Sequence, residues 1–263
     1  MRLIRLFSLV FSILLISVAT AAQLPPGDPQ AQTLAGRAVR ALTNGLSVND
    51  VTLTGTARRI AGSDEETGTV VLRGMAAGHS RMDIKFPSGP RSEVRAKSAN
   101  GSVGSWSGPD GVSNAISHHN LMTDPTWFFP AFVLARALSG SGYVAIYVGR
   151  ETRNSVAVEH LTVVQQSGAS PEISTMLQHL SRMDIFLDSA TFLPVVIAFN
   201  THPDKDAGRD IPVEVRFSDY RTVGGARVPF RVQKYLNNSL VLEFQFGTAA
   251  LNTGLSASAF NVP

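Results

Sequence analysis

The sequence contains no cysteine, which excludes disulfides, thiolate metal centres and lipid attachment at an N-terminal cysteine. Charge is also scarce: Asp, Glu, Lys and Arg make up 16% of residues, against about 25% in an ordinary globular chain. Of the formal net charge of +3, Arg2 and Arg5 contribute two, so the rest of the chain carries no concentrated basic field. Nucleic acid is therefore set aside as a partner. No P-loop, H-E-x-x-H or G-x-S-x-G element is present, so no local catalytic motif supports an enzyme and no cofactor is expected.

Long apolar runs are lacking too. The N-terminal run Leu6 to Val18 is diluted by Ser8, Ser12 and Ser17 and falls short of the roughly 20 residues that span a bilayer. Basic Met1-Arg2-Leu3-Ile4-Arg5 precedes it and Ala19-Thr20-Ala21-Ala22 follows it. These are the three parts of a cleavable secretory signal, so residues 1–22 are expected to be removed after Ala21 or Ala22. Taking 22 from 263 residues leaves 241, within the range of about 200–250 found for single all-β domains. Such a length buries roughly 70–75% of its unfolded surface without a covalent staple. With no repeat, low-complexity tract or long linker, residues 23–263 are expected to form one domain, periplasmic or secreted.

What is present reads as sheet. After a Pro-rich entry, Gln30 to Thr43 has helical spacing at Leu34, Ala38, Ala41 and Leu42, with Asn44-Gly45 as a stop. From Val51 the period becomes two. Val51, Leu53 and Gly55 alternate with threonines, and Met82, Ile84 and Phe86 alternate with Asp83 and Lys85. Later sets are Val144–Val148, Val156–Val164, Val195/Ile197/Phe199, Val213/Val215/Phe217, Val228/Phe230/Val232 and Leu240/Leu242/Phe244/Phe246. Turns every 8–12 residues or so give the rhythm of an antiparallel meander. Parallel βαβ units are excluded by the scarcity of intervening helices. The fold class expected is mainly β: a strongly curved antiparallel half-barrel of about 11 strands, with an N-terminal helix and an apolar lid or plug helix.

That second helix is expected in the segment 127–138, which is apolar almost all round. Asp124 reads as its N-cap with Pro125 at the first helical position, unless Pro130 marks the true start. A helix apolar on every side must be covered on every side, so it should lid or plug the concave face of the sheet. Trp127, Phe128, Phe129, Phe132 and Val133 are the candidate ligand-binding residues of this lid and cavity.

Other motifs carry less. His118 and His119 would point to opposite faces of a strand and read as turn residues. His79, His160, His179 and His202 sit on separate runs, so no metal site is expected. The loop Asp204 to Asp210 has the first acids of a calcium loop, but Val215 stands where the bidentate glutamate belongs. Gly140-Ser141-Gly142-Tyr143-Val144-Ala145 scans as a phosphate fingerprint, yet it follows a helix and precedes a strand, the reverse of the required order.

The last third carries a resemblance. Leu187-Asp188-Ser189-Ala190-Thr191-Phe192-Leu193-Pro194 resembles the Asp-x-x-Thr-x-Leu-Pro hairpin of LolA-like outer-membrane lipoprotein-sorting and carrier proteins. Asp219-Tyr220-Arg221-Thr222-Val223-Gly224 through Pro229 is similar to that superfamily's Asp-Tyr-x-x-Val-x-Gly turn. Leu251-Asn252-Thr253-Gly254-Leu255 to Phe260 is similar to its closing segment. The resemblance implies a half-open curved sheet closed by helices, with an apolar cavity for acyl chains. It implies a non-enzymatic binding protein for lipid or lipoprotein acyl chains, with peripheral membrane contact. The alternatives are a sensor or structural module that binds a protein partner, and an envelope hydrolase with a dispersed site.

Overall fold

The computed structural model describes residues 27–98, 101–140, 142–168 and 170–263. The export signal expected over residues 1–22 lies outside them. Helix α1 (Pro29–Thr43) opens the chain, followed by β1 (Asp50–Ala61), β2 (Asp64–Met75), β3 (His79–Phe86), β4 (Gly89–Ser98), β5 (Gly101–Ser107) and β6 (Ser113–Ala115). A short 3-10 helix (His118–Leu121) and α2 (Pro130–Leu138) lead to β7 (Tyr143–Arg153) and β8 (Val156–Gln165). Helix α3 (Pro171–Ser181) precedes β9 (Met183–Asp188), β10 (Pro194–Thr201), β11 (Ile211–Val223), β12 (Ala226–Leu236) and β13 (Ser239–Leu251).

All thirteen strands join one antiparallel sheet in the order β6-β5-β4-β3-β2-β1-β13-β12-β11-β10-β9-β8-β7. It is an open, curved half-barrel rather than a closed one. The count exceeds the expected 11 or so because β5 and β6, with sequences GSVGSWS and SNA, hold too little apolar alternation to read as strands. Helix α3 is likewise an addition, mostly exposed and capped by Ser170.

The order has one geometric consequence. First and last strands pair in the middle of the sheet, so β6 and β7, consecutive in the chain, become its two opposite edges. The segment from residue 116 to residue 140 therefore crosses towards the opposite edge, and the crossing passes over the concave face. This explains why the all-apolar segment sits here: it is covered by sheet on one side and by α1 on the other. Leu34, Ala35, Ala38 and Leu42 of α1 share the main core with Phe128, Phe129, Phe132, Val133 and Leu134.

The helix start differs from the one that Asp124 and Pro125 suggest. α2 begins at Pro130, with Phe129 at the cap position and no side-chain cap. Asp124 serves another purpose, because Arg136 on α2 reaches back to it. The Asp28 carboxylate does cap α1, accepting from the Gln30 N–H at 2.8 Å. Its other oxygen accepts from the Tyr147 N–H at 3.1 Å, so one side chain caps a helix and covers part of an open strand edge. The hydrogen bond to Tyr147, then that to Gln30, holds the Asp28 carboxyl below the usual carboxylate range.

The three motifs of the last third are turn devices. Asp188 Oδ1 accepts from the N–H groups of Ala190 and Thr191 and from the Thr191 hydroxyl. The Tyr220 hydroxyl donates to the Pro194 carbonyl at 2.8 Å, which ties the second motif to the first. Asp50 is buried and gathers the N–H groups of Thr253, Gly254 and Leu255. Burial opposes its charge, but these donors prevail and hold its pKa below normal.

Candidate functional site

The concave face is apolar through most of its area and charged at one end. Along β12 the inward positions are Val228, Phe230, Val232 and then Lys234. The three apolar residues are buried in the core. Lys234 continues their row, with Val215 and Leu242 as its cross-strand neighbours. On β4, Arg91, Glu93 and Arg95 share one face by the same two-residue period.

Between these strands lies a cavity of about 580 Å³, within the range of small-molecule sites. Its apolar wall includes Met82, Ile84, Phe86, Phe199, Val213 and Leu242, together with Trp127 from the crossing segment. Two grooves of about 660 Å³ are also present, one lined by Ser102, Ser105, Ile116, Leu121 and Val262, the other by ion-paired side chains such as Arg73, Arg81 and Asp83. Neither has a Phe, Tyr or Trp in its lining, whereas the cavity at Trp127 is also lined by Phe86, Trp106 and Phe199.

Four cations line it, Arg59, Arg91, Arg95 and Lys234, against the single carboxylate of Glu93. Three of the four have acidic partners. Arg59 lies 3.2 Å and Arg91 3.7 Å from Glu66. Arg95 donates to Glu93 at 2.7 Å and to the Asn120 carbonyl at 3.0 Å. Burial opposes ionisation of Glu93, but Arg95 and Lys234 hold its carboxyl below the usual range.

Lys234 is different. Its ammonium sits 4.8 Å from the Trp127 ring centroid, in the geometry of a cation–π contact. Among the described residues it has no hydrogen bond or ion pair. Desolvation pushes its pKa down, Glu93 pulls it up and Arg95 lowers it further, leaving a net depression.

Of the five residues singled out in the sequence, the structure brings only Trp127 to this cavity. Phe128, Phe129, Phe132 and Val133 are buried in the core, and none lines the cavity. Trp127 meets Phe128 edge-on at 5.8 Å, and Phe129 meets Phe132 at 4.7 Å. The segment is a plug with one residue at its margin in the wall. Lys234, Glu93 and Arg95 were not singled out. Their signal was a charged residue continuing an inward row, in V-x-F-x-V-x-K and in R-x-E-x-R-x-K.

The fold also gathers histidines that looked scattered. His179 and His202 point their Nε2 atoms at one oxygen of Asp210, at 3.2 and 3.0 Å, and the three ligand atoms lie within 4.8 Å of one another. Asp210 belongs to the loop with the calcium-like acids. The His202 Nε2–H donates a hydrogen bond to that oxygen, while His179 approaches it only at ion-pair distance. The Nδ1 of His202 is buried without a partner among the described residues. A metal on Nε2 would force the proton onto Nδ1 and leave a buried donor unmet, so the hydrogen-bonded form fits better. The Nε2 of His119 meets the Pro203 carbonyl at 3.1 Å, a contact that fastens a turn. Gly140 and Gly142 have positive φ in the turn after α2, as a helix stop and not a phosphate loop.

No protein-family model and no curated protein matches this sequence. Solved structures do. A putative outer membrane lipoprotein-sorting protein domain from Vibrio parahaemolyticus superposes with a TM-score of 0.56 at 13% identity, covering 88% of this chain and 96% of that one. A LolA superfamily protein from Nitrosomonas europaea gives 0.55 at 14% identity, covering 88% and 97%. A DUF1329 family protein from Desulfovibrio piger gives 0.54 at 12% identity, covering 90% and 98%. The chain has a LolA-like fold.

Proposed function

We propose that this chain is an exported, non-enzymatic binding protein, one LolA-like domain over residues 23–263, that shelters a lipid or lipoprotein acyl chain in the cell envelope. The observation that carries the reading is the cavity of about 580 Å³ with its apolar wall, which includes Trp127. An apolar cavity of this size on a solvent-facing sheet end is a ligand site by default. The LolA-like fold supports the same reading, since similar structures include one described as a lipoprotein-sorting domain. Among the described residues no helix is long and apolar enough to cross a membrane, which is consistent with peripheral contact. Trp127 forms part of the cavity wall, while Phe128, Phe129, Phe132 and Val133 hold that wall in place from the core behind it.

The driving force is burial of methylenes, about 0.8 kcal/mol each, so about ten of them would supply roughly 8 kcal/mol, enough for micromolar binding. The test is an organic extract of protein purified from the envelope, read by mass spectrometry, with titration of the stripped protein by a fluorescent acyl probe. A co-purifying lipid and saturable probe binding are expected. An empty extract together with no probe binding would refute the reading.

A further inference from the structure

Resting on the acyl-binding reading, we infer that the cavity's ligand is an amphiphile with an anionic head group, its charge seated on Lys234 and its tail along Met82, Ile84, Phe86, Phe199 and Val213. The lining is strongly unbalanced, four cations to one carboxylate, and that carboxylate is already engaged by Arg95 at 2.7 Å. Lys234 alone has no hydrogen bond or ion pair among the described residues, only the Trp127 ring face at 4.8 Å. Arg91, in the same wall, has its Nε buried and unpartnered among the described residues. Unmet donors beside a cavity are costly unless something fills them.

Position argues the same way. Lys234 occupies an inward place in the row Val228, Phe230, Val232, where an apolar residue would pack at no electrostatic cost. A lysine held there attracts Glu93 only through space and keeps an ammonium with no hydrogen bond or ion pair among the described residues. The surrounding low-dielectric wall would strengthen an ion pair with a ligand anion while still accepting a tail. A neutral lipid would leave the ammonium as unmatched as it is now.

The head-group anion could be a carboxylate or a phosphate monoester, and separate ligands distinguish them. Stripped protein is loaded with a neutral fluorescent acyl probe and displaced with laurate, dodecyl phosphate, and methyl laurate as the uncharged analogue. Laurate or dodecyl phosphate should displace the probe about 10- to 100-fold better than methyl laurate, the worth of one charge-assisted hydrogen bond. Whichever anion is stronger names the head group. Lys234→Met should bring the better anion down to parity with methyl laurate, and Lys234→Arg should restore its preference. The affinity of each protein for the neutral probe is measured separately, so that every displacement is read against it.

Equal displacement by all three ligands in the unmodified protein would overturn the head-group assignment while leaving the acyl-binding reading intact. Absence of probe binding altogether would remove both. The comparison in unmodified protein decides the matter even if a variant folds poorly.

Discussion

Arg136 of α2 lies against Asp124 in a buried fork-to-fork ion pair, Nε to Oδ2 at 2.5 Å and Nη2 to Oδ1 at 2.9 Å. Its Nη1 donates to the Ala76 carbonyl at 2.8 Å in the turn between β2 and β3, and Nη2 also donates to the Thr126 hydroxyl at 3.1 Å. Asp124 also accepts from the Thr126 N–H and hydroxyl at 2.8 and 2.6 Å. The pair therefore fastens the plug helix to its own entry loop and to the sheet. Nearly every polar atom is matched, which is the condition under which a buried pair is tolerated.

Removing one member leaves the other charged and dry. Arg136→Met keeps the stem and deletes the charge, so Asp124 is stranded at 2% exposure. A urea melt should show a loss of about 3–5 kcal/mol. A loss below about 1 kcal/mol would mean that solvent reaches the pair.

Gly55 sits at the register shift between β1 and β13. A Cβ there would lie 2.2 Å from the Gln245 carbonyl oxygen and 2.6 Å from the Phe246 Cα. Backbone cannot yield as a side-chain tip can, so Gly55→Ala should cost at least the 1–3 kcal/mol or so of an overpacked core. Gly247, across the same irregularity, would have nothing within 4 Å of an added methyl. Gly247→Ala should leave the urea midpoint within about 0.5 kcal/mol of the original. Equal effects at both positions would contradict the register.

Much of the fold was legible because alternation and burial are the same fact seen twice. Val213, Val215, Val228, Phe230, Phe244 and Phe246 share a period of two in sequence, and all are buried. What escaped was set by topology. Nothing in Asp124 or Arg136 says that the apolar chain between them will fold back to join them. His179, His202 and Asp210 lie on α3 and on both ends of a loop, so only the assembled sheet brings them together. β5 and β6, with sequences GSVGSWS and SNA, join the sheet through backbone pairing with little apolar alternation to announce them. The cavity escaped for a different reason: apolar content marked the segment 127–138, while the site is made where apolar rows acquire a charge, at Lys234 and Glu93.

Asp184 gives the fold a dependence on acid. Desolvation opposes its charge, but hydrogen bonds from His160, Arg182 and Thr162 bring its pKa from 3.8 down to about 2. A folded pKa below the unfolded one adds stability above the unfolded value, and that stability is lost as pH falls through the folded value. The window is therefore from about pH 4 down to about pH 2. Partial solvent access discounts the gain to roughly 1–2 kcal/mol. Asp184→Asn should flatten the fall of the urea midpoint across that window by this amount. An unchanged slope would show that other carboxylates carry the acid sensitivity.

The plug itself can be tested by placing one charge in two positions. Phe132 is 2% exposed, with its ring against Phe129 at 4.7 Å. It lies in the core shared by α1, α2 and the sheet. Phe132→Asp buries a carboxylate without a partner, a cost of several kcal/mol even if the group is neutralised, comparable with the whole stability of a domain. Its cooperative urea transition should disappear. Phe199→Asp puts the same charge on the cavity wall, where the side chain is only partly buried. That variant should keep its transition and lose affinity for an acyl probe. If Phe132→Asp instead stays folded and loses only probe binding, α2 is a lid that opens and not a plug. If Phe199→Asp unfolds while Phe132→Asp does not, the wall and the core have been assigned the wrong way round.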